Sequence, residues 1–239
     1  MTRKRALDLI LTVLGAIAWV PVVLIAATLV LVTSGRPVFY RFQRRVSKDD
    51  LMKVVKFRTM VKNADKIANR ETLPVNSVRF LNIPSDSPLY TKAGRLLERC
   101  GITELPQFVH VLSGRMSIVG NRPLPDNVLD CLREEYPYAD ERFLTRAGLT
   151  GPAQLVGREQ LTDDERLRLE SAYCRACVHS YSMWLDFSIL LYTVLIVVGV
   201  KKSLGYQGTL DFIDRRSKAP KLVEDASHAE PETSRLVTE

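Results

Sequence analysis

The sequence predicts an α+β chain, mostly helical, in which an N-terminal re-entrant membrane helix joins a small cytosolic domain carrying interfacial amphipathic helices. Three observations predict it. An apolar run from Ala6 to Val32 is long enough to cross a bilayer, and basic residues flank it on both sides. Residues 40–60 read as strand, with helical spacing in several later segments. A second apolar run occupies residues 184–200 and ends on Lys201 and Lys202.

The first run sets the compartment. Its apolar stretch is longer than the core of a signal peptide, and no small-residue cleavage site leads into a polar start. Pro21 sits near its middle, where it removes a backbone hydrogen bond and bends a helix. Arg3, Lys4 and Arg5 precede the run; Arg36, Arg41, Arg44, Arg45 and Lys48 follow it. Positive charge stays on the cytoplasmic side. Both flanks therefore belong there, which a helix bent at Pro21 satisfies by entering the bilayer and returning. A simple span is the alternative. The second run has 17 residues, borderline for spanning, and contains Asp186, Ser188 and Thr193. It reads as an interfacial helix with lysines at the headgroups, with a buried core helix as the alternative.

Between these runs the domain occupies residues 37–205. Residues 61–71 read as helix and 72–90, with Pro74, Pro84 and Pro88, as loop. Residues 91–100 form an amphipathic helix, Leu96 and Leu97 inward and Arg95, Glu98 and Arg99 outward. Thr103 is placed as the N-cap of a short helix reaching about Leu112, Pro106 being tolerated in its first turn. Residues 114–125 read as loop and 126–140 as helix. Thr162 and Glu165 form a capping box for a helix to about His179. Residues 206–239 read as a polar, disordered tail.

Composition narrows the partners. The chain has 239 residues, 46% hydrophobic and 26% charged, with a net charge of +7. That balance suits nucleic acid, an anionic membrane face or phosphate-bearing substrates. No nucleic-acid motif is recognisable, so nucleic acid is set aside. Of four cysteines, only Cys174 and Cys177 have C-x-x-C spacing, with no second pair; they read as two residues of one helix.

Three segments place cations and backbone donors where a phosphate would bind. They are Lys56-Phe57-Arg58-Thr59-Met60; Gly94 to Arg99, leading to Thr103-Glu104-Leu105-Pro106-Gln107; and Met116 to Pro123, ending in Asn121-Arg122-Pro123. A carboxylate at a helix start beside arginines suits a Mg²⁺ and phosphate station, because Mg²⁺ takes one or two carboxylates plus substrate phosphates. Arginine clusters are also common as solvated faces, and Thr103-Glu104 also fits a plain cap with its first-turn acid.

These segments resemble the small monotopic polyprenyl-phosphate phosphoglycosyl transferases, the bacterial sugar transferases that begin surface-glycan assembly. The resemblance runs from about Lys4 to Lys202. It includes the proline-bearing lead helix, Pro37-Val38-Phe39-Tyr40, Lys56 to Met60, Glu104 to Gln107, Met116 to Gly120, Ala147 to Gln154, and then Tyr173, Asp186 and Thr193. It implies a protein on the cytoplasmic face of the bacterial inner membrane, seated in the lipid bilayer. It implies a uridine-linked (UDP) sugar as donor, polyprenyl phosphate as acceptor, and Mg²⁺ as cofactor. Glycan-assembly proteins are implied as possible partners. In that family an Asp-Glu pair opens the active helix, its Asp forming a phosphosugar intermediate. Glu104 holds the Glu position, as catalytic group and metal ligand. Lys56, Arg58, Arg95, Arg99, Gln107, Arg122, Pro123 and Gln154 are carried over as substrate- and phosphate-binding candidates.

The chain departs from that pattern where it matters most. Thr103 stands at the Asp position, Asn121 at the first proline of a Pro-Arg-Pro element, Val20 before the kink proline, and Glu98 at an arginine position. Three accounts stay open. Glu104 supplies the nucleophile or the base, with direct attack by the lipid phosphate. Thr103 is phosphorylated with Glu104 as its base. Or the chain is a silent relative that binds nucleotide sugar or lipid phosphate as a scaffold. The route through Glu104 is favoured, because phosphoryl transfer depends largely on positioning and charge neutralisation.

Overall fold

The computed structural model describes residues 2–64, 87–156 and 161–217. Helix α1 (Arg3–Ser34) is continuous through Pro21. It begins at Thr2, whose hydroxyl accepts from the Arg5 amide at 3.3 Å, an N-cap contact. Only Asp8, Thr12, Ala26 and Val30 are buried along it, while Ile17 is 86% and Ile25 70% exposed. So apolar a helix with so little cover needs an apolar medium around it. It is the one helix long and apolar enough to cross a membrane among the described residues.

Strands β1 (Phe39–Arg45) and β2 (Leu51–Phe57) pair antiparallel, with Phe39 opposite Phe57 and Arg45 opposite Leu51. On β2 burial alternates at its start, Met52 and Val54 entering the core. Helix α2 (Lys92–Arg99) follows, capped by Thr91, whose hydroxyl accepts from the Gly94 amide at 2.9 Å. A Cβ at Gly94 would overlap the Thr59 carbonyl, so only glycine lets α2 lie this close to the chain leaving β2. Next come a 3₁₀ turn (Leu105–Gln107) and α3 (Phe108–Leu112), then β3 (Ser117–Val119), α4 (Asp126–Glu135) and a second 3₁₀ turn (Ala139–Phe143). Strand β4 (Gly148–Thr150) pairs parallel with β3. Helices α5 (Pro152–Val156), α6 (Asp163–Ser180), α7 (Met183–Val197) and α8 (Tyr206–Asp214) complete the described chain. Gly120, Gly148 and Gly151 press backbone on backbone beside the β3–β4 pair, where a Cβ at any of them would collide with main-chain atoms.

The main core gathers Val54, Ile118, Leu155, Leu169, Tyr173, Ile189 and Ile213 from β2, β3, α5, α6, α7 and α8. A second cluster joins α4 and the second 3₁₀ turn to Leu167 of α6. A third packs Ala26 and Val30 of α1 on Phe57 and Leu97.

Helix α1 runs along the domain for most of its length. Near its start Lys4 Nζ bonds Asp186 at 2.7 Å, the Tyr173 hydroxyl at 2.9 Å and the Val119 carbonyl at 2.8 Å. Asp8 accepts from the Ser117 hydroxyl and the Ile118 amide, each at 2.9 Å. Trp19 stacks on Phe108 of α3 at 5.1 Å between ring centres. At the far end Arg58 donates to the carbonyls of Ser34 and Gly35.

Several local expectations change. The Thr162–Glu165 capping box is present, and α6 carries both Cys174 and Cys177. Thr103 is not a cap: Glu104 occupies the N-cap of the 3₁₀ turn and no side chain caps it. The Thr103 carbonyl instead accepts from the Phe57 amide, tying this turn to β2. Leu97 is buried but Leu96 is 51% exposed, since a helix this short offers one narrow inward stripe. Residues 126–140 split into α4 and the 3₁₀ turn, because Pro137 follows closely. Residues 206–214 are helix rather than tail, with Phe212 and Ile213 packed in the main core; residues 218–239 lie outside the described residues. Asn63 has φ 61° in a turn within the segment read as helix from 61 to 71, the remainder of which, with most of the 72–90 loop, also lies outside.

Candidate active site

Glu104 and Arg122 form the centre. Arg122 Nη2 donates to Glu104 Oε1 at 2.6 Å and Nη1 to Oε2 at 3.1 Å, a two-point guanidinium–carboxylate pair. Both side chains are partly open, 25% exposed for Glu104 and 30% for Arg122. The 3₁₀ turn presents Glu104; the loop after β3 presents Arg122. Lys56 on β2 lies within the field of both, and its ammonium sits over the rings of Phe42 (5.4 Å) and Tyr40 (5.9 Å). Burial lowers the Lys56 pKa, and the Glu98 and Glu104 carboxylates partly offset this.

A second acid–base pair lies directly behind. Arg142 Nη2 donates to the Arg122 carbonyl at 2.6 Å and faces Glu170 Oε2 at 3.2 Å. Arg142 and Glu170 are each 2% exposed. Burial raises the Glu170 pKa, while Arg142 and Arg166 pull it down. Asn121 adds a further tie: its amide donates to the Arg142 carbonyl at 2.9 Å and to Cys174 Sγ at 3.2 Å. The segment 121–122 is thus clamped to α6 and to the second 3₁₀ turn from below, and only the Arg122 guanidinium faces outward.

The predicted residues divide. Glu104, Arg122 and Lys56 come together, with Thr103, 8% exposed, adjoining. Pro123 follows Arg122 and is half-buried. Gln107 is buried one turn along from Glu104, its amide donating to the Glu104 carbonyl at 2.9 Å. Arg58 turns to the end of α1, Arg95 donates to the Ser87 carbonyl at 3.2 Å, and Arg99 is exposed on the last turn of α2. Gln154 is on α5 beside the glycine cluster. Sequence reasoning did not single out Arg142, Glu170 or Arg166. A signal existed, since Glu170 shares the α6 stripe of Leu167 and Cys174 at helical spacing, an acid on an apolar face.

Among the described residues no three Asp, Glu, His or Cys side chains gather, so these residues build no cation cage of their own. Glu104 offers one carboxylate, partly open, which fits a Mg²⁺ carried mainly by substrate phosphates.

A partly exposed acid–guanidinium pair, with a lysine in its field, thus sits on a domain that bears a long apolar helix. The chain belongs to the bacterial sugar transferase family, whose model matches residues 1–200. It is similar to the exopolysaccharide production protein ExoY of Sinorhizobium fredii, 32% identical over 80% of this chain and 83% of the relative. It is also similar to the UDP-glucose:undecaprenyl-phosphate glucose-1-phosphate transferase of Klebsiella pneumoniae, 34% identical over 81% of this chain. The chain spans 40% of that larger relative's length. A sugar transferase of Bacillus subtilis, EpsL, is 31% identical over 85% of this chain and 92% of its own. The enzyme class these relatives support is phosphoglycosyl transferase.

Proposed function

We propose that the chain moves a sugar 1-phosphate from a UDP-sugar to polyprenyl phosphate at the cytoplasmic face of the inner membrane, in exopolysaccharide synthesis. The Glu104–Arg122 pair carries the reading. The pair is open enough for a ligand to reach, and a diphosphate, with more negative charge and more acceptor oxygens than one carboxylate, can take the guanidinium from it. Arg122 and Lys56 then neutralise the phosphate oxygens. Glu104, released, is placed to take the remaining P–OH proton of a monoprotonated lipid phosphate; it would also help hold Mg²⁺, which would supply charge neutralisation on the diphosphate. A lipid phosphate oxygen attacks the phosphorus that bears the sugar, and the bridging P–O bond breaks. UMP leaves with that electron pair, and the sugar remains on a lipid diphosphate. Arg142, Glu170 and Asn121 hold the Arg122 backbone fixed throughout.

The re-entrant placement of α1 is part of the proposal. A straight helix of 32 residues extends about 48 Å at 1.5 Å per residue. Its start, its middle (through Trp19) and its end all rest on one domain. A helix perpendicular to the bilayer, with that domain in the cytosol, would not keep those contacts. Leu96, Val109 and Leu112, on helices packed against α1, are also exposed and extend its apolar face. Helix α7 divides: Leu185 and Ile189 enter the core, while Leu191, Val194 and Val197 are exposed and suit an interfacial position.

The test is release of UMP by full-length protein in lipid nanodiscs with Mg²⁺, polyprenyl phosphate and a panel of UDP-sugars. Turnover with at least one donor is expected. Intact mass after donor alone should be unchanged, because Thr103 stands where a covalent route would need its carboxylate. No turnover with any donor would return the scaffold reading.

A further inference from the structure

We infer that a cavity at the C-terminal end of α1 is a second anion site, which takes the phosphate group of a membrane lipid. The cavity has a volume of about 320 Å³ and, among the described residues, is lined by Thr33, Ser34, Arg58, Val61, Lys62, Thr91 and Lys92. It is separate from the Glu104–Arg122 pair, neither of which lines it.

The carrying observation is Arg58. Its side chain is 6% exposed, and its Nη2 donates to the Ser34 and Gly35 carbonyls. Its Nε and Nη1 are buried and have no hydrogen-bond partner. A guanidinium that always bears charge is costly to bury with donors unsatisfied. An anion in the adjoining cavity would satisfy them. The surroundings agree in sign. Lys62 and Lys92 are exposed at the rim, and the N-terminus of the eight-residue helix α2 begins at Thr91–Lys92. Helix N-termini favour anions, and phosphate above all.

The location selects the source. Thr33 and Ser34 are the last residues of α1, directly after Leu31 (42% exposed) and Val32 (78% exposed). The apolar part of α1 therefore ends at the cavity mouth, the depth at which lipid phosphates lie in the membrane reading proposed above. Three sources share this chemistry: the polyprenyl phosphate acceptor, an anionic phospholipid, and inorganic phosphate. The inference rests on the membrane placement of α1 but not on turnover.

The test uses full-length protein in phosphatidylcholine nanodiscs carrying polyprenyl phosphate, neutral polyprenol or phosphatidylglycerol, with lipid retention read by native mass spectrometry. Retention of a phosphate-bearing lipid above neutral polyprenol is expected, falling roughly tenfold in the Lys62→Ala, Lys92→Ala double variant. Arg58→Gln should abolish the retention that persists in an Arg122→Gln background, which removes the contribution of the reacting pair; because Arg58 also holds the end of α1, the double variant, altered only at exposed positions, keeps the test independent of folding. Preference for polyprenyl phosphate identifies the acceptor, preference for phosphatidylglycerol a phospholipid, and stripping of either by inorganic phosphate the shared group. Equal retention of polyprenol and its phosphate, or retention untouched by both variants, would overturn the inference.

Discussion

Two arginine–carboxylate pairs share a backbone link and differ in almost everything else. Glu104–Arg122 is a quarter to a third exposed; Arg142–Glu170, whose arginine bonds the Arg122 carbonyl, is almost sealed at 2%. In the proposed mechanism the open pair exchanges its partner for a diphosphate, because water and ligand reach it. The sealed pair cannot. Its desolvation is offset by the facing charges, by Arg166 beside Glu170 and by the Arg142 bond to the Arg122 carbonyl, so it serves as a fixed mount. The proposed function thus assigns reaction to the open pair and support to the sealed one, two similar pairs that differ in burial.

The comparison is broken most forcefully at the sealed pair. Glu170→Ala leaves Arg142 buried without its counter-charge and should cost about 3–5 kcal/mol of stability, read from the denaturant midpoint. A loss below about 1 kcal/mol would mean that the pair is not sealed. At the open pair, Arg122→Lys keeps the charge but loses the two-point fork. It should lower kcat/KM at least tenfold, with stability altered by less than about 1 kcal/mol. Smaller still is Arg45–Asp126, which joins β1 to α4 at 2.7 Å with Asp126 38% exposed. The Arg45 hydrogen bond holds the Asp126 carboxyl below its usual value of 3.8. Its contribution is therefore full above about pH 3.8 and is lost as pH falls through the folded value. Asp126→Asn should cost under about 1 kcal/mol at neutral pH, and that cost should shrink in acid.

Legibility in the sequence followed range. The extended character of residues 40–60, the α6 capping box and the apolar α1 depend on neighbours within a few positions and are visible in the chain; the turn that folds 40–60 into the β1–β2 hairpin is not. Thr103 was misread because cap chemistry and backbone geometry disagree: its carbonyl is taken by Phe57, moving the helix start to Glu104. The family motifs pointed to Glu104, Lys56 and Arg122 together. The α6 stripe marks Glu170 as an acid on an apolar face, but its pairing with Arg142 is out of reach because the two are 28 residues apart. Arg58 was readable as a cation but not as one that faces α1.

The division of labour is tested most directly by Glu104→Gln, with UDP-sugar affinity and UMP release measured on the same nanodisc preparation. The account predicts turnover lower by about 10²–10⁴-fold, the range for removing a positioned base. Donor binding measured without Mg²⁺ should be kept or tightened, since Arg122 loses its competing carboxylate. Turnover near the wild-type rate, or donor binding lost in step with turnover, would contradict it.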